Sequence, residues 1–241
     1  MNRGIDMIEF IPYASSSEAN MYEVTDGNTR ILIECGLTWQ EMQKLTGYST
    51  TGFDACLLTH EHKDHSKGAD DLYLHGIDIY CSEGTRKGIG LLAGIKILNL
   101  TGDWRRLRIG DFLIKPFETR HDAAEPLGFL ILHKPSGDTL LFATDTFYLP
   151  YTFQGLTHIA IECNYSPDLL APDCPYKDRL FSSHMSLQTC IQALKANDLS
   201  RTREIHLIHL SEGNSDEERF KREVQEAVGI PTYVAPKRRE L

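Results

Sequence analysis

Thr59-His60-Glu61-His62-Lys63-Asp64-His65 is the stretch on which the reading of this chain turns. Three imidazoles and the Asp64 carboxylate fall within six consecutive residues, directly after the apolar run Phe53-Asp54-Ala55-Cys56-Leu57-Leu58, which reads as a buried strand. A turn that closes a strand aims such side chains into one small volume. Groups of this kind are costly to hold together without a cation to share. His60 and His62 suit one metal, and Asp64 and His65 suit a second; the nitrogen and oxygen donors fit zinc and its first-row neighbours. A solvated histidine-rich loop is the bland alternative. It explains a lone histidine well and this spacing poorly.

Outward from that motif the chain alternates strands and helices. Ile8-Glu9-Phe10-Ile11, Met21 to Thr25 and Thr29 to Glu34 read as strands, the last two joined by the turn Asp26-Gly27-Asn28. Leu37 to Leu45 reads as a helix, as do Gly68 to Leu74 and Ser82 to Leu92, the last two separated by the strand Asp78-Ile79-Tyr80-Cys81. Residues 97 to 120 suggest paired strands, and Leu127 to His133 pairs with Thr139 to Thr144. Thr157 to Cys163 and Ile205 to Leu210 are further apolar strands. The helix Leu187 to Ala196 between them places Leu187, Cys190, Ile191 and Leu194 on one face. A last helix starts at Ser215-Asp216-Glu217-Glu218, a capping-box pattern, and stops at Gly229. With no repeat and no linker, residues 1–241 read as one α/β domain.

Two half-filled metal sites need further donors, and these recur at one kind of place. His121, Asp145 and His209 each stand at or near the C-terminal end of an expected strand. Convergence at one sheet edge is how an α/β protein builds a binding crevice. His75, His133, His158 and His206 lack such a setting and read as structural or solvated. His184, in Ser182-Ser183-His184-Met185-Ser186, sits in a polar loop before a helix, where a ligand, a general acid or no role at all are open.

Composition bounds the function. A charge of −9 leans mildly against a polyanionic partner, although Arg105-Arg106-x-Arg108 beside Trp104, and Lys237-Arg238-Arg239, are local basic clusters. Lys177 and Arg179 lie closer in sequence to His184. Six scattered cysteines without a Cys-x-x-Cys fit a reduced, cytoplasmic compartment. No apolar run nears the ~20 residues of a membrane span, and no signal peptide is expected.

His60-x-His62-x-Asp64-His65 followed by His121, Asp145 and His209 resembles the five-motif layout of the metallo-β-lactamase superfamily. Ser15-Ser16-Ser17-Glu18-Ala19-Asn20, His121-Asp122-Ala123, Glu125-Pro126-Leu127-Gly128-Phe129 and Glu162-Cys163-Asn164-Tyr165 extend the likeness to its WalJ/YycJ-type, nuclease-like branch. Ser183-His184-Met185-Ser186 and His209-Leu210-Ser211-Glu212-Gly213-Asn214 continue it. The resemblance implies a four-layer αββα sandwich; Asp145 and His209, 64 positions apart, leave no room for a β-CASP insertion. It implies two divalent metal ions, zinc, manganese or iron. His60, His62 and His121 would hold the first, Asp64, His65 and His209 the second, with Asp145 bridging. Catalysis would rest on Asp64, Asp145 and His184, the last as proton donor, with Ser183, Arg179 and Lys177 as substrate contacts. Glu34 and Asp122 would support the ligands from behind. Ile33-Glu34-Cys35-Gly36 carries Glu where the superfamily usually has Asp, one methylene longer, so that support is expected to shift.

The activity so implied is phosphodiester hydrolysis by a metal-bridging hydroxide, most simply 5′→3′ exonuclease action on DNA. A small-molecule hydrolase, acting on a cyclic or nucleotide phosphodiester or on a thioester in the manner of glyoxalase II, is the alternative. An inactive metal-binding adaptor is the third reading, and the complete set of seven donors argues against it. The sequence carries no mark of oligomeric state.

Overall fold

The computed structural model describes residues 7–90, 95–98 and 107–239; Trp104, Arg105 and Arg106 of the first basic cluster lie outside them. Apolar residues on both faces of the central strands dictate the architecture. In β3 (Arg30–Ile33), Ile31 and Ile33 face one way and Leu32 the other, and all three are buried. In β10 (Thr139–Ala143), Leu140 and Phe142 oppose Leu141 and Ala143 in the same manner. Side chains alternate along a strand, so a run apolar at every position needs cover on both faces.

That cover comes from two sheets packed on each other, each with helices outside. The first sheet runs in the order β1 (Glu9–Ser15), β2 (Asn20–Thr25), β3, β4 (Ala55–Leu57), β5 (Asp78–Cys81), β6 (Ile95–Ile97), antiparallel to β3 and parallel beyond it. The second runs β13 (Thr232–Val234), β12 (Glu204–Ile208), β11 (His158–Glu162), β10, β9 (Leu127–His133), β8 (Phe112–Glu118), β7 (Arg108–Ile109), parallel from β13 to β10 and antiparallel after it. Phe10, Tyr22, Ile31 and Leu57 meet Phe112, Phe129, Ile131 and Phe142 in the central core. Met42 and Leu45 of α1 (Trp39–Leu45) and Leu72 of α3 (Ala69–Leu74) cover the outer face of the first sheet. Leu187, Cys190 and Leu194 of α6 (Leu187–Lys195), with Phe220 and Val224 of α7 (Glu217–Val228), cover the second. This is the expected αββα sandwich.

Among the α-helices and strands described, four escaped the sequence reading. They are α2 (Lys63–Ser66), formed by the metal motif itself, α5 (Lys177–Ser183), and the three-residue edge strands β6 and β13. Each is too short to show a period. The start of α7 is also corrected: its cap is Asp216, whose side chain accepts from Arg219 N. Ser215 is unavailable for that cap because its hydroxyl donates to the Ser211 carbonyl at 2.5 Å. Among the described residues, no helix is long and apolar enough to cross a membrane, and the six cysteines are free thiols.

Candidate metal centre

The C-terminal ends of the parallel strands converge on one rim. β3 ends before Glu34, β4 before the His60 motif, β10 before Asp145, β11 at Glu162 and β12 before His209. Four non-glycine residues among those described have positive φ, and three stand here: Glu34 at 63°, Asp145 at 47° and His209 at 56°. Each left-handed residue costs about 1–3 kcal/mol and persists where its surroundings over-determine it. Glu34 N donates to Leu57 O at 3.0 Å, and His209 N donates across the sandwich to Ser15 Oγ at 2.8 Å. The sharp reversal turns each side chain into the rim instead of along its strand.

Close backbone approach locks the motif loop. Cys35 N donates to His65 O at 2.7 Å, and Gly68 N to Cys35 O at 2.8 Å. A Cβ on Gly36 would stand 1.7 Å from the Asp64 carbonyl oxygen, so this position has no room for a side chain.

Three ring nitrogens meet at one point: His62 Nδ1 lies 3.0 Å from His60 Nε2 and 3.2 Å from His121 Nε2. Donors ~2.0–2.1 Å from a tetrahedral zinc stand roughly 3.3 Å apart, so the spacing suits a shared ion. A second group adjoins it. Asp64 Oδ2 is 3.1 Å from His65 Nε2 and 3.7 Å from His209 Nε2. Asp145 lies between, with Oδ2 3.0 Å from His65 Nε2 and Oδ1 3.9 Å from His121 Nε2.

The far side of each ring tests whether these residues fit metal. His121 Nδ1 donates to the Ser183 carbonyl at 2.9 Å, which leaves Nε2 with a free lone pair. Thr59 Oγ1 holds His60 Nδ1 at 2.8 Å. Burial pushes His60 well below the ordinary imidazole pKa and lowers His121 too, so both stay in the neutral, ligating form. His209 Nε2 is buried without a hydrogen-bond partner, a lone donor aimed at Asp64. Burial opposes charge on His65 and His209, yet the carboxylates around them together outweigh it and raise both: Asp145 first, with Glu34 and Asp64 at His65, and with Asp64 and Glu162 at His209, which is raised to about 10. A site whose carboxylates draw positive charge this strongly onto its imidazoles fits divalent cations.

Behind the donors runs a directed chain of hydrogen bonds. His209 N donates to Ser15 Oγ, Ser15 pairs with Tyr22 OH at 2.7 Å, and Tyr22 OH donates to Asn20 Oδ1 at 2.9 Å. Asn20 Nδ2 lies 3.1 Å from His65 Nε2 and 3.4 Å from Asp64 Oδ2. Glu34 is fully buried, accepts from Thr59 N at 3.3 Å and lies 3.6 Å from His65 Nδ1. The longer side chain therefore reaches the backbone at the root of the motif while remaining just beyond hydrogen-bond range of the imidazole.

His184 caps the C-terminus of α5 and faces a cleft of about 240 Å³ lined by His62, Asp64, His121, Asp145 and His209, with Ser17, Tyr176, Arg179 and Leu180 as its remaining wall. Its Nδ1 donates to Glu162 Oε1 at 2.7 Å and lies 3.3 Å from Asp145 Oδ1. Glu162 Oε2 accepts from Thr146 N at 2.8 Å and Met185 N at 3.2 Å, tying the β11 end to the Asp145 and His184 turns. Burial lowers the pKa of His184, but the adjacent Glu162 charge and hydrogen bond, together with the Asp145 charge, raise it and the net shift is upward.

The structure thus brings His60, His62, Asp64, His65, His121, Asp145, His184 and His209 to one rim. Other expectations are corrected. Lys177 does not line the cleft; its ammonium lies 5.5 Å over the Phe181 ring. Ser183 is 1 % exposed, does not line the cleft, and offers its carbonyl to His121. Asp122 does not hold the far nitrogen of His121: its Oδ1 is 3.3 Å from Nε2, and its Oδ2 binds Arg179 Nε at 2.8 Å. Arg179 does line the cleft. The second basic cluster does not line the cleft: Lys237 lies near Glu212 and Glu217, Arg238 on Glu41, and Arg239 over Tyr13. Sequence reasoning gave no role to Glu162, Asn164 or Tyr176. Glu162 shared with Asp145 its place at a strand end, and that signal could have found it. Asn164 Nδ2 donates to His209 O at 2.8 Å.

Comparison with known proteins follows the same lines. Residues 29–210 match the family model described as "Beta-lactamase superfamily domain". The chain is 27% identical over 239 residues to the exodeoxyribonuclease YycJ of Bacillus anthracis, covering 92% of this chain and 89% of that one. It is 27% identical over 226 residues to the exodeoxyribonuclease WalJ of Streptococcus pneumoniae, covering 85% and 82%. Among solved structures, the metallo-β-lactamase fold protein YhfI of Bacillus subtilis superposes with a TM-score of 0.74 at 17% identity, over 96% of this chain and 98% of that one.

Proposed function

This chain belongs to the β-lactamase superfamily in its metal-dependent form, the metallo-β-lactamase fold, and from that membership we propose that it is a binuclear phosphodiesterase acting on DNA as a 5′→3′ exonuclease. Membership of the family makes the chain a metal-dependent hydrolase. The two relatives named as exodeoxyribonucleases support DNA as its substrate.

His60, His62 and His121 would hold one cation, Asp64, His65 and His209 the second, with one Asp145 oxygen directed at each group. Zinc, manganese and iron all suit these donors. When bound, such a pair supplies Lewis acidity and lowers the pKa of a coordinated water to near neutrality.

The observation that carries the proposal is the His184–Glu162 pair. Cleaving a phosphodiester expels an alkoxide, the anion of an acid about as weak as water, whose pKa is about 15.7. Such a leaving group needs a proton. His184 Nδ1–H is tied to Glu162, so the other ring nitrogen faces the cleft, and the carboxylate favours the charged imidazolium that can donate. A thioester expels a thiolate, whose conjugate acid has a pKa of about 8.5 and which leaves unaided. Built-in proton donation therefore favours the phosphodiester. Glu162 acts through His184 and is a positioning residue.

A second reading, a small nucleotide phosphodiester as substrate, draws on charge. Among the described residues lining the cleft, Arg179 is the one Lys or Arg, and Asp122 holds it. Digestion of end-labelled linear DNA with added Mn²⁺, wild type beside Asp145→Ala, tests the proposal. Stepwise loss of nucleotides from the 5′ end, absent in the variant, is expected. Intact DNA in both lanes, with metal measured in the wild type, would overturn the exonuclease and leave the small diester.

A further inference from the structure

One aromatic ring in the cleft has no work in the fold. Tyr176, directly before α5, lines the cleft yet is 52% exposed. Among the described residues its ring stacks on nothing and its hydroxyl makes no hydrogen bond. Tyr165 and Phe181 show the contrast, since each covers the other in a stacked pair with ring centroids 5.5 Å apart. The rest of the lining is imidazole, carboxylate, Ser17 and Arg179, with Leu180 the one aliphatic side chain. A polar cleft with a single free π-face and a neighbouring guanidinium matches a ligand that is flat and apolar at one end and anionic at the other.

The frame beneath this wall is tied to the chemistry. His184 N donates to Leu180 O at 3.0 Å, and the Ser183 carbonyl holds His121. The segment that carries Tyr176, Arg179 and Leu180 is thereby indexed to the residues that meet the scissile bond. Its distance to that bond is set by two hydrogen bonds and not by a free loop.

We propose that Tyr176 and Arg179 form a subsite for the terminal nucleotide, Tyr176 stacking on the base and Arg179 contacting the adjoining phosphate, so that the enzyme selects an unpaired, base-bearing end. This rests on the phosphodiesterase reading and specifies its substrate. Every base has a π-face, so the subsite selects for the presence of a base and against none of the four. Among the described residues the Arg179 guanidinium is held by Asp122 alone, through an exposed pair of the kind that contributes little in water, which leaves it available to a phosphate. Base–aromatic stacking corresponds to a change in kcat/KM of roughly tenfold.

The test uses short single-stranded oligodeoxynucleotides that are intact, abasic at the 5′-terminal residue, or abasic at the 3′-terminal residue. Each is digested with Mn²⁺ by wild type, Tyr176→Ala and Tyr176→Phe. The expected result is a roughly tenfold lower kcat/KM for wild type on one abasic substrate. Tyr176→Ala should lose about the same factor on the intact strand and nothing on that abasic strand, and Tyr176→Phe should match wild type. An equal loss for Tyr176→Ala on intact and abasic strands would make Tyr176 a structural residue and overturn the subsite. So would abasic strands cleaved by wild type as fast as the intact one. No cleavage of any strand by metal-loaded wild type would overturn the DNA exonuclease reading on which the subsite rests.

Discussion

Replacing Glu162 by Gln tests proton donation by His184. The carboxylate is fully buried and purely an acceptor, taking Thr146 N and Met185 N on Oε2 and His184 Nδ1 on Oε1, which also lies 3.5 Å from His209 Nδ1. Gln has the same shape but one acceptor and one donor end. If its oxygen takes the place of Oε2 and keeps the two backbone donors, its NH₂ faces His184 Nδ1. That nitrogen must then accept, and His184 becomes a neutral imidazole with its proton on the cleft side. The charged donor is lost while the ring stays in place. General-acid catalysis contributes about 10²–10⁴-fold, so kcat on an alkyl phosphodiester should fall by at least about 10², roughly 2.7 kcal/mol of barrier. A nitrophenyl phosphodiester expels a stabilised anion and should lose less than about tenfold. Steady-state kinetics on the two substrates, with metal content and thermal unfolding measured alongside, make the assay. Equal losses on both substrates would refute the reasoning, because they would place Glu162 in the general architecture and not behind a proton.

The same pair fixes a pH dependence. His184 is raised in the folded protein, so the activity that needs its charged form is present below that pKa and lost as pH rises through it; in Glu162→Gln the descending limb should move to lower pH, read from kcat against pH. Gly36→Ala places a Cβ 1.7 Å from a backbone oxygen that cannot swing aside, so it should destabilise the protein by at least about 1–3 kcal/mol and reduce bound metal, seen in a thermal melt and by metal analysis. Glu34→Gln weakens the support of the motif loop at Thr59 and His65 and should lower metal affinity by about 10–100-fold, measured by competition with a chromogenic chelator. Tyr22→Phe leaves Ser15 Oγ and Asn20 Oδ1 without their shared partner in a buried chain and should cost about 1–3 kcal/mol in denaturant unfolding.

His60, His62, Asp64 and His65 were legible in the sequence because donors so close along the chain cannot be far apart in space. The strands were legible for a similar local reason: Ile31-Leu32-Ile33 and Leu140-Leu141-Phe142 are apolar at every position, which demands cover on both faces; the four layers themselves were expected from the family resemblance and not from that pattern. His121, Asp145 and His209 could be nominated by their places at strand ends. What no local pattern contains is the direction a side chain takes after its strand. That is set by the left-handed turn at Asp145 and His209, held in place by partners such as Ser15, far away in sequence. The same limit explains the exchanged roles around His184. Ser183 gives His121 its carbonyl, Lys177 turns to Phe181, and Arg179 and Tyr176 reach the cleft, because the short α5 has its own orientation and hydrogen bonds. Glu162, buried at the end of β11, becomes the partner of His184 only when two segments 22 positions apart meet. The sequence by itself determined which donors exist and which strands need cover on both faces, since both follow from chemistry between near neighbours. The tertiary structure decided which carboxylate stands behind which imidazole, since that depends on contacts made through space.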